Sequence, residues 1–213
     1  ARCARALTNT PRPETEGNLK ANRGTGNTGG IEEHNAAPRT IPGILARATI
    51  KPHELAAADG IILPGGESTA IGKLLADFDL VPIIQDKARS GTPVWGTCAG
   101  AILLANKLDN DHLTHLGLMD IVVTRNAYGS QANSFVEYAE LPFLGAKPFP
   151  LVFIRAPVIT EAGQGTEILA TRGKEIIACR SANLIATTFH PELTEDSRFH
   201  AWFAEIVKAG QVR

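Results

Sequence analysis

The chain has little of what marks a specialised class. Its 213 residues include three cysteines, Cys3, Cys98 and Cys179. They are too few and too widely spaced for a disulfide framework or a cysteine-based zinc site. No apolar run approaches the roughly 18 residues that a membrane span needs. The longest obvious run, Ala99 to Ala105, reads as the start of a buried helix. No basic segment followed by an apolar stretch opens the chain, so no secretory signal is expected. Neither sign of charge dominates: 21 Lys and Arg face 22 Asp and Glu, a net charge of −1. That balance carries no electrostatic footprint for nucleic acid. Repeats and low-complexity runs are also missing. Together these absences predict a soluble protein in a reducing, cytoplasmic setting, with no membrane and no nucleic-acid partner.

What is present fits one α/β domain. Hydrophobic residues make up 44% of the chain and charged residues 20%, which suits a packed globular core. Residues 1–28 stand apart as an atypical N-terminal arm, rich in Arg, Asn, Thr and Gly, with the composition of a disordered segment. Gly24-Thr25-Gly26-Asn27-Thr28-Gly29-Gly30 has no strand before it and no Gly-Lys-Ser/Thr after it, so it is not read as a phosphate-binding loop. Residues 29–213 form the domain. Strands are expected within Ile41–Ile50, at Asp59–Leu63 and before Cys98. Helices are expected over Glu67–Phe78 and Val81–Ser90. Further strands are expected at Leu118–Thr124, Ser134–Leu141 and Leu151–Ile154. Three more follow at Glu167–Thr171, Glu175–Arg180 and Asn183–Phe189, with Arg172-Gly173-Lys174 as a hairpin turn. A last helix covers Ser197–Val207, where Phe199, Trp202, Phe203 and Ile206 recur at helical spacing. Strands alternating with helices predict a three-layer sandwich around a mainly parallel sheet, with an antiparallel addition from the middle of the chain.

The chemistry centres on Gly96-Thr97-Cys98-Ala99-Gly100. Glycines flank Cys98 two residues away on either side, between an apolar strand and a helix start. This is the logic of a nucleophile elbow with sulfur in place of oxygen. Unpaired N–H groups and the helix dipole at that position suit a nucleophilic sulfur. Of six histidines, His190 has the right setting, because an apolar strand delivers it to the carboxyl edge of the sheet, where ligands gather. Glu192, two residues on, is placed to fix the imidazole tautomer, giving a Cys98–His190–Glu192 triad. Pro64-Gly65-Gly66-Glu67-Ser68 follows another strand, and its free amides, with that of Ala99, suit an oxyanion hole. The same stretch also reads as a plain strand-to-helix turn capped by Ser68. Arg125 and Arg155 each follow an apolar strand and suit a substrate carboxylate, or else a surface ion pair. Cys179 reads as a core residue. His112 and His115 read as solvated loop residues, since nothing completes a metal site around them.

Five stretches occur in order: Leu63-Pro64-Gly65-Gly66-Glu67-Ser68-Thr69, Gly96-Thr97-Cys98-Ala99-Gly100, Arg125-Asn126-Ala127-Tyr128-Gly129, Phe153-Ile154-Arg155-Ala156-Pro157 and Phe189-His190-Pro191-Glu192-Leu193-Thr194. Together they closely resemble the class I (triad) glutamine amidotransferases. Within that class they resemble the glutaminase subunits of pyridoxal 5'-phosphate synthase. The resemblance implies a flavodoxin-like domain that hydrolyses L-glutamine to glutamate and ammonia for vitamin B6 synthesis. It implies Cys98, His190 and Glu192 as the triad, and Gly66 and Ala99 as the oxyanion hole. It places Gly66, Glu67, Ser68, Arg125, Ile154 and Arg155 around glutamine. No metal and no organic cofactor is implied. The partner implied is a synthase subunit, a (β/α)8 barrel that receives the ammonia.

The chain also departs from that pattern. Family members begin with an apolar strand and a glutamine-bearing loop; here Thr28 stands where the glutamine is expected, and the apolar strand is missing. Its loss is expected to leave a sheet edge exposed. Pro38 and Pro42 interrupt the region after Glu33-His34. Ser130, Asn133 and Val136 replace the usual Arg, Asp and Glu. These departures keep a non-catalytic, partner-binding homologue as the alternative. A related Cys–His hydrolase with another substrate is a third reading, disfavoured by the intact Glu67-Ser68, Arg125 and Arg155.

Overall fold

The computed structural model describes residues 4–8, 44–109, 111–125, 127 and 134–210. Its strands are β1 (Ala4–Thr8), β2 (Leu45–Thr49), β3 (Gly60–Leu63), β4 (Val94–Thr97), β5 (Ala105–Leu108), β6 (Met119–Thr124), β7 (Ser134–Ala139), β8 (Phe149–Ile154), β9 (Val158–Ala162), β10 (Glu167–Arg172), β11 (Glu175–Ser181) and β12 (Leu184–Thr187). Its helices are α1 (Pro52–Ala56), α2 (Ser68–Asp77), α3 (Leu80–Arg89), α4 (Ala99–Leu104) and α5 (Arg198–Gly210). Thr28, Glu33, His34, Pro38, Pro42, Ser130 and Asn133, named above as departures or landmarks, lie outside the described residues.

β3, β4 and β12 are buried at every position. Continuous burial is what strands covered on both faces require. These three pair in parallel, β3 with β4 and β4 with β12, and form the centre of the sheet. The order across ten strands is β2-β1-β3-β4-β12-β11-β9-β6-β5, with β10 paired to β11. The expected parallel sheet is realised at this centre, and antiparallel pairs flank it, so the whole sheet is mixed. The hairpin β7–β8 stands apart as its own two-stranded sheet.

The two faces of the sheet carry separate cores. On one, Ile61, Leu63 and Val94 pack with Leu55 of α1, Leu75 of α2, Leu80 and Ile84 of α3 and Leu103 of α4. On the other, Ile62, Trp95 and Ile185 pack with Phe199, Phe203 and Val207 of α5 and with Phe149, Leu151 and Phe153 of β8. The alternation of Ile61 and Ile62 between the two cores is the period-two pattern of a strand. Trp95 stacks on Phe199 at 4.7 Å between ring centroids and donates its indole N–H to Thr187 at 3.1 Å. A buried indole is thus both packed and satisfied. Helices, sheet, then α5 with the hairpin make the three layers.

One expectation is corrected. Loss of the family's first strand does not leave β3 at an open edge, because Ala4–Thr8, expected within the arm, forms β1 between β2 and β3. It runs antiparallel to both. Ala4 and Ala6 enter the α1–α4 core and Leu7 enters the α5 core. Small side chains on one face and one leucine on the other match the two-sided burial this slot imposes. Leu7 is tied to the turn before β3 as well, since the Asp59 N–H donates to its carbonyl at 2.6 Å.

Candidate active site

β4 runs directly into α4, and Cys98 is the hinge. Its backbone sits at φ 48°, ψ −104°, a conformation L-residues avoid. Holding it there costs of order 1–3 kcal/mol, so the surrounding structure must over-determine it. Two glycines do so. A side chain on Gly96 would strike the Gly100 carbonyl, and one on Gly100 would strike the Leu63 carbonyl. The turn can therefore close tightly against β3 only with glycine at both places. The Cys98 N–H donates to the Thr187 carbonyl at 2.8 Å, which ties the elbow to β12.

β12 ends just before His190. The His190 N–H donates to the Val152 carbonyl of β8 at 2.8 Å, so the hairpin layer fixes the loop. Glu192 follows in a tight turn, Pro191–Leu193, and its Oε1 lies 2.7 Å from His190 Nδ1. Both side chains are buried. The other side of the ring faces the Cys98 side chain, which favours the charged imidazole. Burial opposes a charged imidazole, but the Cys98 and Glu192 contacts outweigh it and carry His190 from its usual 6.5 up to about 10. Gly65 closes the third side. A methyl there would run into His190 Cε1 and come within 3.5 Å of the Cys98 Cβ. Gly65 was not singled out in the sequence, although the Gly65-Gly66 pair was its signal.

Gly66 has φ +139° and directly precedes Glu67, the residue before α2. Ala99 is the first residue of α4, so its N–H has no intrahelical partner. Ser68 does not cap α2, contrary to the plain reading. It is the buried first helical residue, and Glu67 is the cap, accepting from the N–H groups of Thr69 at 3.1 Å and Ala70 at 2.7 Å. Glu67 wins because its longer carboxylate reaches two amides. Burial pushes Glu67 upward, but those amides, the Thr69 hydroxyl and Arg125 hold it below the usual carboxylate range. The Arg125 Nη2 donates to Glu67 Oε1 and to Thr69 Oγ1, each at 3.1 Å. Arg125 and Glu67 are thus brought together, although 58 residues separate them. Ile154 ends β8 and is half-buried. Arg155 follows with φ +46°, is exposed, and forms no ion pair among the described residues.

The remaining sequence candidates separate cleanly. Cys179 is fully buried in β11, and burial pushes its thiol up to about 12, as suits a core residue. His112 is exposed, but His115 is not a solvated loop residue. Its ring packs against Gly72 of α2, where any side chain would strike it. Among the described residues, no three His, Cys, Asp or Glu side chains group as a metal site. No helix of the described residues is long and apolar enough to cross a membrane.

Comparison with known proteins shows the family. The model of the SNO glutamine amidotransferase family matches residues 26–209. The pyridoxal 5'-phosphate synthase subunit PdxT of Ruminiclostridium cellulolyticum is 47% identical over 179 residues, 84% of this chain and 95% of that protein. PdxT of Pelotomaculum thermopropionicum is 49% identical over 162 residues, 76% of this chain and 83% of that protein. A crystal structure of a glutamine amidotransferase superposes with a TM-score of 0.77 at 39% identity, over 83% of this chain and 93% of that one. This chain belongs to the SNO glutamine amidotransferase family.

Proposed function

We propose that this chain is a glutaminase that hydrolyses L-glutamine to L-glutamate and ammonia, as a subunit of a pyridoxal 5'-phosphate synthase. The observation that supports this reading most is the packing of Gly65, Cys98 and His190 against one another, with Glu192 Oε1 at 2.7 Å from the far ring nitrogen. Cys98 attacks the side-chain amide carbon. His190 takes the thiol proton and returns it to the departing ammonia, leaving a glutamyl thioester. A water molecule, deprotonated by His190, then hydrolyses the thioester. Glu192 holds the imidazole in orientation. The N–H groups of Gly66 and Ala99 receive the oxyanion. Gly66, Glu67, Ser68, Arg125, Ile154 and Arg155 surround the glutamine.

The ammonia passes to a synthase subunit, a (β/α)8 barrel, rather than to solvent. Relatives named as pyridoxal 5'-phosphate synthase subunits, at 43–49% identity over most of their length, support a synthase partner. A reducing cytoplasm suits the free buried thiol at Cys98. The reading of a non-catalytic homologue rested on the missing first strand, and β1 standing in that slot weakens it. The test is glutamate release from glutamine, with and without an added synthase subunit, beside Cys98→Ala. Release that the synthase stimulates and Cys98→Ala abolishes is the expected result. A folded chain that binds the synthase and releases no glutamate overturns the catalytic reading.

A further inference from the structure

Resting on the glutaminase reading, we propose that Asp111 is a positioning residue for glutamine recognition. It acts through Arg125. The guanidinium of Arg125 is held from two sides: Nη1 donates to Asp111 Oδ2 at 3.1 Å, while Nη2 donates to Glu67 Oε1 and Thr69 Oγ1. Asp111 is itself fixed, because its Oδ1 accepts the Leu113 N–H at 3.0 Å. The contact with Leu113 and the Arg125 guanidinium keep its carboxyl below the usual range against the opposing effect of burial. A planar guanidinium gripped at one terminal nitrogen has its other terminus aimed. Here that terminus meets the cap of α2, one residue from Gly66. Asp111 therefore sets where Arg125 and Glu67, the opposite charges that suit a zwitterionic amino acid, stand relative to Cys98.

The geometry makes Asp111 distinct from a surface ion pair. Arg125 has 22% of its side chain exposed and Asp111 34%, so neither is freely solvated. The links also run across sequence: β5 leads to the Asp111 loop, β6 to Arg125 and β3 to Glu67. One carboxylate thus joins three elements through one arginine. Asp111 does not reach the triad, so its loss is expected to weaken substrate binding while leaving the chemical step intact.

The experiment is steady-state glutaminase kinetics on the full chain, with the synthase subunit present, for wild type, Asp111→Asn, Asp111→Ala and Asp111→Glu. Wild type and Cys98→Ala are run first. Absence of Cys98-dependent glutamate release in wild type sinks the glutaminase reading, and this proposal with it. If wild type is active, Asp111→Asn and Asp111→Ala are expected to raise KM for glutamine about 3- to 10-fold, with kcat held within about 2-fold, the scale of one partly exposed charge-assisted contact. Asp111→Glu, which keeps the charge, is expected to recover part of that loss. An unchanged KM in both Asn and Ala variants overturns the proposal while leaving the glutaminase reading intact. So does a fall in kcat equal to that in kcat/KM, or a lowered Tm with normal KM.

Discussion

Gly65→Ala is the sharpest test of how the site is built. The added methyl would meet His190 Cε1 and lie 3.1 Å from Nδ1. Ordinary carbon contacts sit at roughly 3.5 Å, so the ring must retreat by about 1 Å. That retreat acts on the 2.7 Å contact with Glu192 and on the sulfur side together. Misplacement of this size costs about 100-fold in rate. The packing penalty itself is about 1–3 kcal/mol, and a domain of this length loses roughly 2–4 °C of Tm per kcal/mol. Gly65→Ala should therefore stay folded, with kcat for glutamate release down about 100-fold. Gly210→Ala is the control, since its methyl meets only Pro93 atoms at 3.9 Å. A Gly65→Ala enzyme with wild-type kcat would refute the argument that this glycine sets the imidazole.

Three further outcomes follow from the same structure. Leu7 is 2% exposed and bridges β2 and β3, so Leu7→Ala should cost about 2–5 kcal/mol in urea unfolding; an unchanged midpoint means that β1 does not fill the slot. Gly100→Ala gains about 1 kcal/mol of helix propensity but forces a methyl onto the Leu63 carbonyl. The clash dominates, so Tm should fall, and a rise in Tm contradicts the close approach. His190 is raised from 6.5 to about 10 in the folded chain, so its contribution to stability is full below about pH 6.5 and lost as pH rises through about 10. Removing Glu192 as Glu192→Gln should flatten that decline in urea midpoints measured across pH 6–10, and an identical pH profile in the variant counts against the pairing.

The centre of the fold was readable because β3, β4 and β12 are apolar or small at every position, a pattern that admits few alternatives. The hairpin at Arg172-Gly173-Lys174 was readable from its turn, where Gly173 takes φ +59°. β1 was not, because Ala4-Arg5-Ala6-Leu7-Thr8 has no run of branched or aromatic residues, and its place comes from the vacancy beside β3. β5 was missed, since Ala105 extends the apolar run of α4 in the sequence and the exposed Asn106 and Lys107 follow it. β9 was missed because Thr160, Glu161 and Ala162 dilute its apolar start. At the site, Cys98, His190 and Glu192 announced themselves by motif. Gly65 and Asp111 did not, because their roles exist only once distant strands bring His190 and Arg125 against them.

The central claim is that Cys98 is the nucleophile held by His190 and Glu192. Its most direct measurement is peptide mass spectrometry of the acid-quenched protein during turnover of glutamine. One added glutamyl group is expected on the peptide carrying Cys98, lost in Cys98→Ala together with glutamate release. Glutamate release that persists in Cys98→Ala, or a glutamyl group found on another residue, would contradict it.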